Sequence, residues 1–129
     1  MHTTHHMERT ATELVDSVIK VHRALGPGML ESAYQSCLGH ELERRGVEVR
    51  CEVLLPLKFE QLTIAAGYRA DMILNNCVIV ENKCVSALLP SHTAQLLTYL
   101  RLADFRLGFL VNWNSVLVKH GIKRLVNKL

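Results

Sequence analysis

From Thr12 to Leu25 apolar residues recur as Leu14, Val18, Val21 and Leu25, a helical spacing that stops at Gly26-Pro27-Gly28. A second helix is predicted from about Met29 to Arg45, closed by Gly46, with Leu30, Tyr34, Cys37, Leu38 and Leu42 on its inner face. The period then changes to two. Val47, Val49, Cys51 and Val53 alternate with Glu48, Arg50 and Glu52, as in a half-buried strand. Pro56 interrupts that pattern, so Leu57–Phe59 and Leu62–Ala66 read as short strands around a turn at Glu60-Gln61, followed by a strand over Tyr68–Leu74. Asn75-Asn76 marks a turn, because asparagine tolerates positive φ, and Cys77–Val85 is predicted as the most buried strand. Ser91, after Pro90, is the expected N-cap of a third helix reaching about Ala103, with Leu96, Leu97, Leu100 and Ala103 on its apolar side. Leu107–Asn112 is a strand apolar on both faces, and Val116–Lys119 and Ile122–Val126 supply a short strand or helical tail. The order α, α, several β, α, β predicts an α/β (α+β) fold with helices flanking a central sheet.

A chain of 129 residues fits one domain. Residues 12–129 are expected to form it, and 1–11 to be a tail. Its opening Met1-His2-Thr3-Thr4-His5-His6 reads as a disordered terminus or as a metal-binding segment. No apolar stretch is long enough to span a bilayer, and no segment has the build of a signal peptide, so a cytoplasmic location is expected, with no membrane partner. Cys37, Cys51, Cys77 and Cys84 lack C-x-x-C pairing and read as free buried thiols rather than zinc or iron–sulfur ligands. The net charge of +3 permits nucleic-acid binding without requiring it.

The candidate chemistry lies around Glu81-Asn82-Lys83. An acid and a lysine on one face at the end of a buried strand are costly unless they pair or hold a metal. With Asp71 beside them they suit metal-dependent phosphodiester hydrolysis. That convergence carries a condition. A two-residue loop at Asn75-Asn76 would set Asp71 opposite Val80 and put the two acids on opposite faces, so a three-residue loop or a bulge is predicted. Otherwise Asp71 reads as the partner of Arg69 or Lys83 in a surface ion pair. Glu31 borders the apolar face of the second helix, where it either serves the site or complements the helix dipole. His92, Gln95 and Tyr99 form a polar stripe on the third helix. Lys119, His120, Lys123, Arg124 and Lys128 make the C-terminal end basic, read either as a phosphate-contacting patch or as a solvated face. Trp113 reads either as a platform for a base or as a partly buried anchor.

Gly28-Met29-Leu30-Glu31-Ser32-Ala33-Tyr34 resembles the G-x-x-E-x-x-Y signature of the GxxExxY proteins. Tyr68-Arg69-Ala70-Asp71, Ile79-Val80-Glu81-Asn82-Lys83 and His92-Thr93-Ala94-Gln95-Leu96-Leu97-Thr98-Tyr99-Leu100 follow in that family's order, so the resemblance covers about Glu13 to Val126. The family is assigned to the PD-(D/E)XK, or restriction-endonuclease-like, superfamily. The resemblance implies an αβββαβ core with a mixed sheet, here behind an extra N-terminal helix, and a nuclease site using Mg²⁺ or Mn²⁺. It implies metal ligation by Asp71, Glu81 and the Asn82 backbone carbonyl, with Glu31 acting directly or through water. Lys83 and Gln95 complete the catalytic set, supported by Tyr34 and Tyr99. DNA or RNA is the implied substrate; Lys119, Lys123 and Arg124 of the basic C-terminal end are the candidates to contact it, and a homodimer or a partner protein would extend so small a chain. The alternative is a non-catalytic nucleic-acid-binding or protein-interaction module on the same fold. Two departures are visible: Ala70 stands for the proline of the motif, and Asn82 for a usual apolar residue.

Overall fold

In the computed structural model, which describes residues 3–128, the first helix begins well before Thr12. Helix α1 (Thr4–Leu25) is capped by the Thr3 hydroxyl, which accepts from the His6 N–H at 3.0 Å. Met7, Thr10 and Ala11 extend the buried stripe of Leu14, Val18 and Val21. Most of the expected tail is therefore core helix. Helix α2 (Glu31–Arg44) buries Tyr34, Leu38 and Leu42, but Cys37 is exposed and Leu30, at 76% exposure, is its N-cap rather than a core residue. The two helices are clasped at Glu41, which Arg45 contacts at 2.8 Å and Lys20 at 3.0 Å. Hydrogen bonds from Arg45, Arg44 and Lys20 hold that carboxyl down at about 2.

Strands β1 (Val49–Phe59), β2 (Leu62–Leu74), β3 (Val78–Lys83), β4 (Leu107–Asn112) and β5 (Ile122–Val126) form one sheet in the order β1-β2-β3-β4-β5. Only β3 and β4 are parallel, joined through helix α3 (Pro90–Ala103). A short 3₁₀ turn over Val118–Gly121 precedes β5. Helices α1 and α2 cover one face of the sheet through Met72, Leu74, Val78, Val80 and Phe109. Helix α3 covers the other through Ile73, Ile79, Leu96, Leu100 and Leu110. This is the expected α+β architecture: an αβββαβ core preceded by one helix. No described helix is long and apolar enough to cross a membrane.

Two local expectations fail. Strand β1 runs unbroken through Pro56, because β1 is an edge strand and a missing N–H is tolerated there. Ser91 does not cap α3. The helix starts at Pro90, and His92 Nδ1 accepts from the Leu89 N–H at 2.9 Å.

The β1–β2 hairpin changes register between Leu55 and Leu57, where Gly67 lets the strands close. A Cβ at Gly67 would lie 2.3 Å from the Leu57 Cβ and 3.2 Å from its backbone nitrogen. Both atoms are fixed to the strand and cannot yield. Gly67→Ala is therefore expected to cost about 1–3 kcal/mol, read as a lower urea midpoint at unchanged slope. A midpoint equal to that of the parent chain would show that the hairpin has room there.

Candidate active site

Asn75 and Asn76 take φ of 48° and 54°, and the Cys77 N–H closes the turn on the Leu74 carbonyl at 3.0 Å. Leu74 pairs with Val78, Ile73 with Ile79 and Met72 with Val80. The loop is thus the odd, three-residue one that the acids require, and the register continues to Asp71 opposite Glu81. There the ladder gives way to side chains. The Asp71 N–H donates to Glu81 Oε2 at 2.7 Å, and the Asn82 N–H donates to Asp71 Oδ2 at 2.9 Å. Each strand's carboxylate accepts from an N–H of the other strand, so the acids hold the mouth of the strand pair.

The same level bends β1 and β2. Glu52 has a left-handed φ of 52°. Val49 packs on the α1–α2 side but Val53 on the α3 side; Met72 and Ala70 divide the same way. Strict alternation is lost at Glu52 and Asp71 together.

Burial sets the electrostatics. Glu81 is 4% exposed, and desolvation, reinforced by Asp71, pushes its carboxyl up to about 8. Asp71 is also raised, first by desolvation, although its hydrogen bond from Asn82 and the charge of Lys83 oppose the shift. Lys83 lowers both acids through space rather than in a contact ion pair. Arg69 pairs with Glu52 at 3.2 Å, so the reading of Asp71 as a surface ion pair with Arg69 or Lys83 does not hold.

Glu31 is the first residue of α2 and exposed. Its carboxyl is raised by desolvation and by Asp71, with Lys83 acting oppositely, so its field is shared with the acid pair. Tyr34 fixes the turn before it. The phenol donates to the Gly26 carbonyl and accepts from the Met29 N–H at 3.1 Å. The tyrosine of the G-x-x-E-x-x-Y run therefore staples the loop that presents Glu31.

Asn82 points to the opposite face from Glu81, as expected, and its burial is answered by partners. Trp113 Nε1 donates to Asn82 Oδ1 at 2.9 Å, and Asn82 Nδ2 donates to Gln35 Oε1 at 3.1 Å. Trp113 is fully buried and stacked on Tyr34 at 4.6 Å, so it is an anchor and not a platform for a base. On α3, Tyr99 lies against Tyr68 at 4.7 Å, and its phenol is raised by desolvation and by Glu81 and Asp71. Gln95 is exposed and makes no hydrogen bond to either carboxylate among the described residues.

The basic residues do not form one patch. Arg124 is bound to Glu8 at 2.6 Å, and Lys119 lies in the turn before β5, lining a cavity between α1 and the loop after β4. Lys123 is different. Glu81 pairs with Leu110 and Leu110 with Lys123, so Lys123 lies at the sheet level of the acids, two strands from Glu81 or about 10 Å across. It donates to Thr93 Oγ1 of α3 at 3.1 Å.

Sequence reasoning missed Glu52, which faces Asp71 across the hairpin and raises the carboxyls of both Glu31 and Asp71. It was read as an ordinary outward strand position, and no residue around it announces a left-handed backbone.

Among the described residues no three His, Cys, Asp or Glu side chains gather as a metal cluster; the acids meet as a pair. Cys51 nearby is exposed rather than buried as expected, and its thiol and that of the half-buried Cys84 are both pushed up, first by desolvation, so the better donors on offer are oxygens. A buried and a half-buried carboxylate that repel each other fit a hard divalent cation whose other ligands are carbonyl, water or phosphate oxygens. The chain matches no curated protein and no solved structure. A family profile described as the PD-(D/E)XK nuclease superfamily matches residues 8–125.

Proposed function

Since the chain belongs to the PD-(D/E)XK nuclease superfamily, we propose that it hydrolyses phosphodiester bonds in DNA or RNA at the corner formed by Asp71, Glu81 and Lys83. The observation that carries this reading is the crossed pair of hydrogen bonds that brings the buried Glu81 and the half-buried Asp71 face to face, with Glu81 held up to about 8. Such a pair is unfavourable without a counter-charge, and that is the condition of a site waiting for a cation.

Asp71 and Glu81 would hold Mg²⁺ or Mn²⁺, with the Asn82 carbonyl as a third oxygen and Glu31 reaching it directly or through water. The ion would supply Lewis-acid stabilisation of phosphate charge and a more acidic water. Lys83 sets a positive charge beside both acids, where it would orient the attacking water and offset charge growing on the phosphate oxygens. Tyr99 presents a phenol to the same corner from α3, and Gln95 would join it in positioning water or phosphate. Lys123, with Lys119 and Arg124 in lesser roles, would contact flanking phosphates.

The test is cleavage of single- and double-stranded DNA and RNA with Mg²⁺ or Mn²⁺, beside Asp71→Ala and Lys83→Ala. The parent chain should cut at least one substrate, and each variant should lose about 100-fold or more. Undiminished cleavage in both variants, or none in the parent chain on any substrate, would sink the proposal.

A further inference from the structure

Tyr68 carries a hydroxyl for which the fold supplies no partner. It lies on β2 three residues before Asp71, paired across the hairpin with Leu55. Ala70, two residues on, packs in the α3-side core, as Leu55 does, and the Tyr68 side chain takes the same face. There its ring meets that of Tyr99, with centroids 4.7 Å apart and planes tilted by 40°. The ring contact accounts for an aromatic residue at this position. It does not account for the oxygen, which is closed off from solvent and makes no hydrogen bond among the described residues. A phenylalanine would give the same packing without leaving a buried donor unpaired.

Its surroundings identify the missing acceptor. Burial first, and Tyr99 after it, push the Tyr68 phenol up, so it keeps its proton and stands as a donor. The Tyr99 phenol in turn lies in the field of Glu81 and Asp71, and it too makes no hydrogen bond among the described residues. A phenolic oxygen both donates and accepts. If Tyr99 donates to a phosphate oxygen beside the acids, its own oxygen becomes a better acceptor, because hydrogen bonds in a chain polarise one another. Tyr68, in ring contact behind it, is the donor placed to complete that chain.

We propose that Tyr68 is a positioning residue of this site: its hydroxyl donates to the Tyr99 oxygen when Tyr99 donates to a phosphate oxygen of the nucleic acid on which charge is growing. This role rests on the nuclease reading. The test compares kcat and KM for cleavage by the parent chain, Tyr68→Phe, Tyr99→Phe, the double variant and Asp71→Ala, with urea unfolding of each. Tyr68→Phe discards an unpaired hydroxyl, so its urea midpoint should equal or exceed that of the parent chain. It should nevertheless lose about tenfold in kcat with KM little changed, because the chain of bonds tightens only as charge develops. Tyr99→Phe should lose at least as much, and adding Tyr68→Phe to it should cost nothing further. If Tyr68→Phe cuts like the parent chain while Asp71→Ala does not cut, the role of Tyr68 is overturned and the nuclease reading stands. A full further loss in the Tyr99→Phe background overturns that role equally, because the hydroxyl would act apart from Tyr99. So does a lower urea midpoint for Tyr68→Phe, which would mean that the hydroxyl is already bonded in the fold. A parent chain that cuts no substrate, or an Asp71→Ala variant that cuts as well as the parent, overturns the nuclease reading and the role of Tyr68 with it.

Discussion

Glu81→Gln is expected to raise the melting temperature of the metal-free protein, by about 5 °C, while abolishing any cation-dependent activity. Glu81 is 4% exposed, and among the described residues its carboxylate accepts one hydrogen bond, from the Asp71 N–H at 2.7 Å. A carboxylate so placed is desolvated and repelled by Asp71, which is why its carboxyl is pushed up to about 8 from an ordinary 4.5. The folded state therefore holds this proton far above the pH at which the unfolded chain releases it. The stability contributed by the group is full below about 4.5 and lost as pH rises through about 8. Glutamine keeps an oxygen for the Asp71 N–H without the charge. The melting temperature of the parent chain, scanned by calorimetry from weakly acid to weakly alkaline pH, should fall across that window, and the variant should fall less. Excess Mn²⁺ should act in the opposite sense, stabilising the parent chain by about 2.7 kcal/mol at a hundred times its Kd and leaving the variant unmoved. A variant that melts lower than the parent, with the same pH slope, would mean that the Glu81 charge is already compensated in the fold.

Trp113→Ala should be among the most damaging single substitutions, costing about 3–5 kcal/mol from a stability on the order of 5–15 kcal/mol. The indole is fully buried and nearly parallel to the Tyr34 ring. Its N–H satisfies Asn82, its backbone N–H donates to the Lys83 carbonyl at 2.9 Å, and its carbonyl lies 3.2 Å from His22 Nε2. Loss of the side chain opens a cavity behind the acid strand and orphans the Asn82 oxygen. Trp113→Phe separates the two effects. It keeps the stacking and gives up the donor, so a loss of about 1–3 kcal/mol is expected. Urea unfolding followed by circular dichroism measures both. If the phenylalanine variant matches the parent chain, the Asn82 contact contributes nothing, and an alanine variant that loses less than about 1 kcal/mol would show that the core closes over the gap.

The apolar periods of the helices and the all-apolar run of β4 were legible because burial there follows spacing along the chain. The register at Asn75-Asn76 was legible too, since two asparagines tolerate left-handed φ and only an odd loop brings Asp71 to Glu81. What the sequence concealed depends on neighbours distant in the chain. Pro56 looked like a strand breaker until β1 proved to be the edge. Leu30 fits its helical pattern but stands at the cap. Thr3 to His6 look like a polar tail yet carry the cap and first turn of α1. Asn82 looked misplaced in a core strand; its partners, Gln35 and Trp113, come from α2 and from the segment after β4. The family resemblance pointed to Glu31, Asp71, Glu81 and Lys83 as candidates, but Glu52 beside them follows only from the bend in the hairpin.

Trp113 is the chain's sole tryptophan, and its indole is hydrogen-bonded to the residue between Glu81 and Lys83. The protein thus carries one indole, set directly behind the acid strand, and it can be excited at wavelengths too long for the three tyrosines to absorb. Any ion or phosphate that draws on that strand should shift or quench its emission, so occupancy can be followed by light in the unlabelled chain.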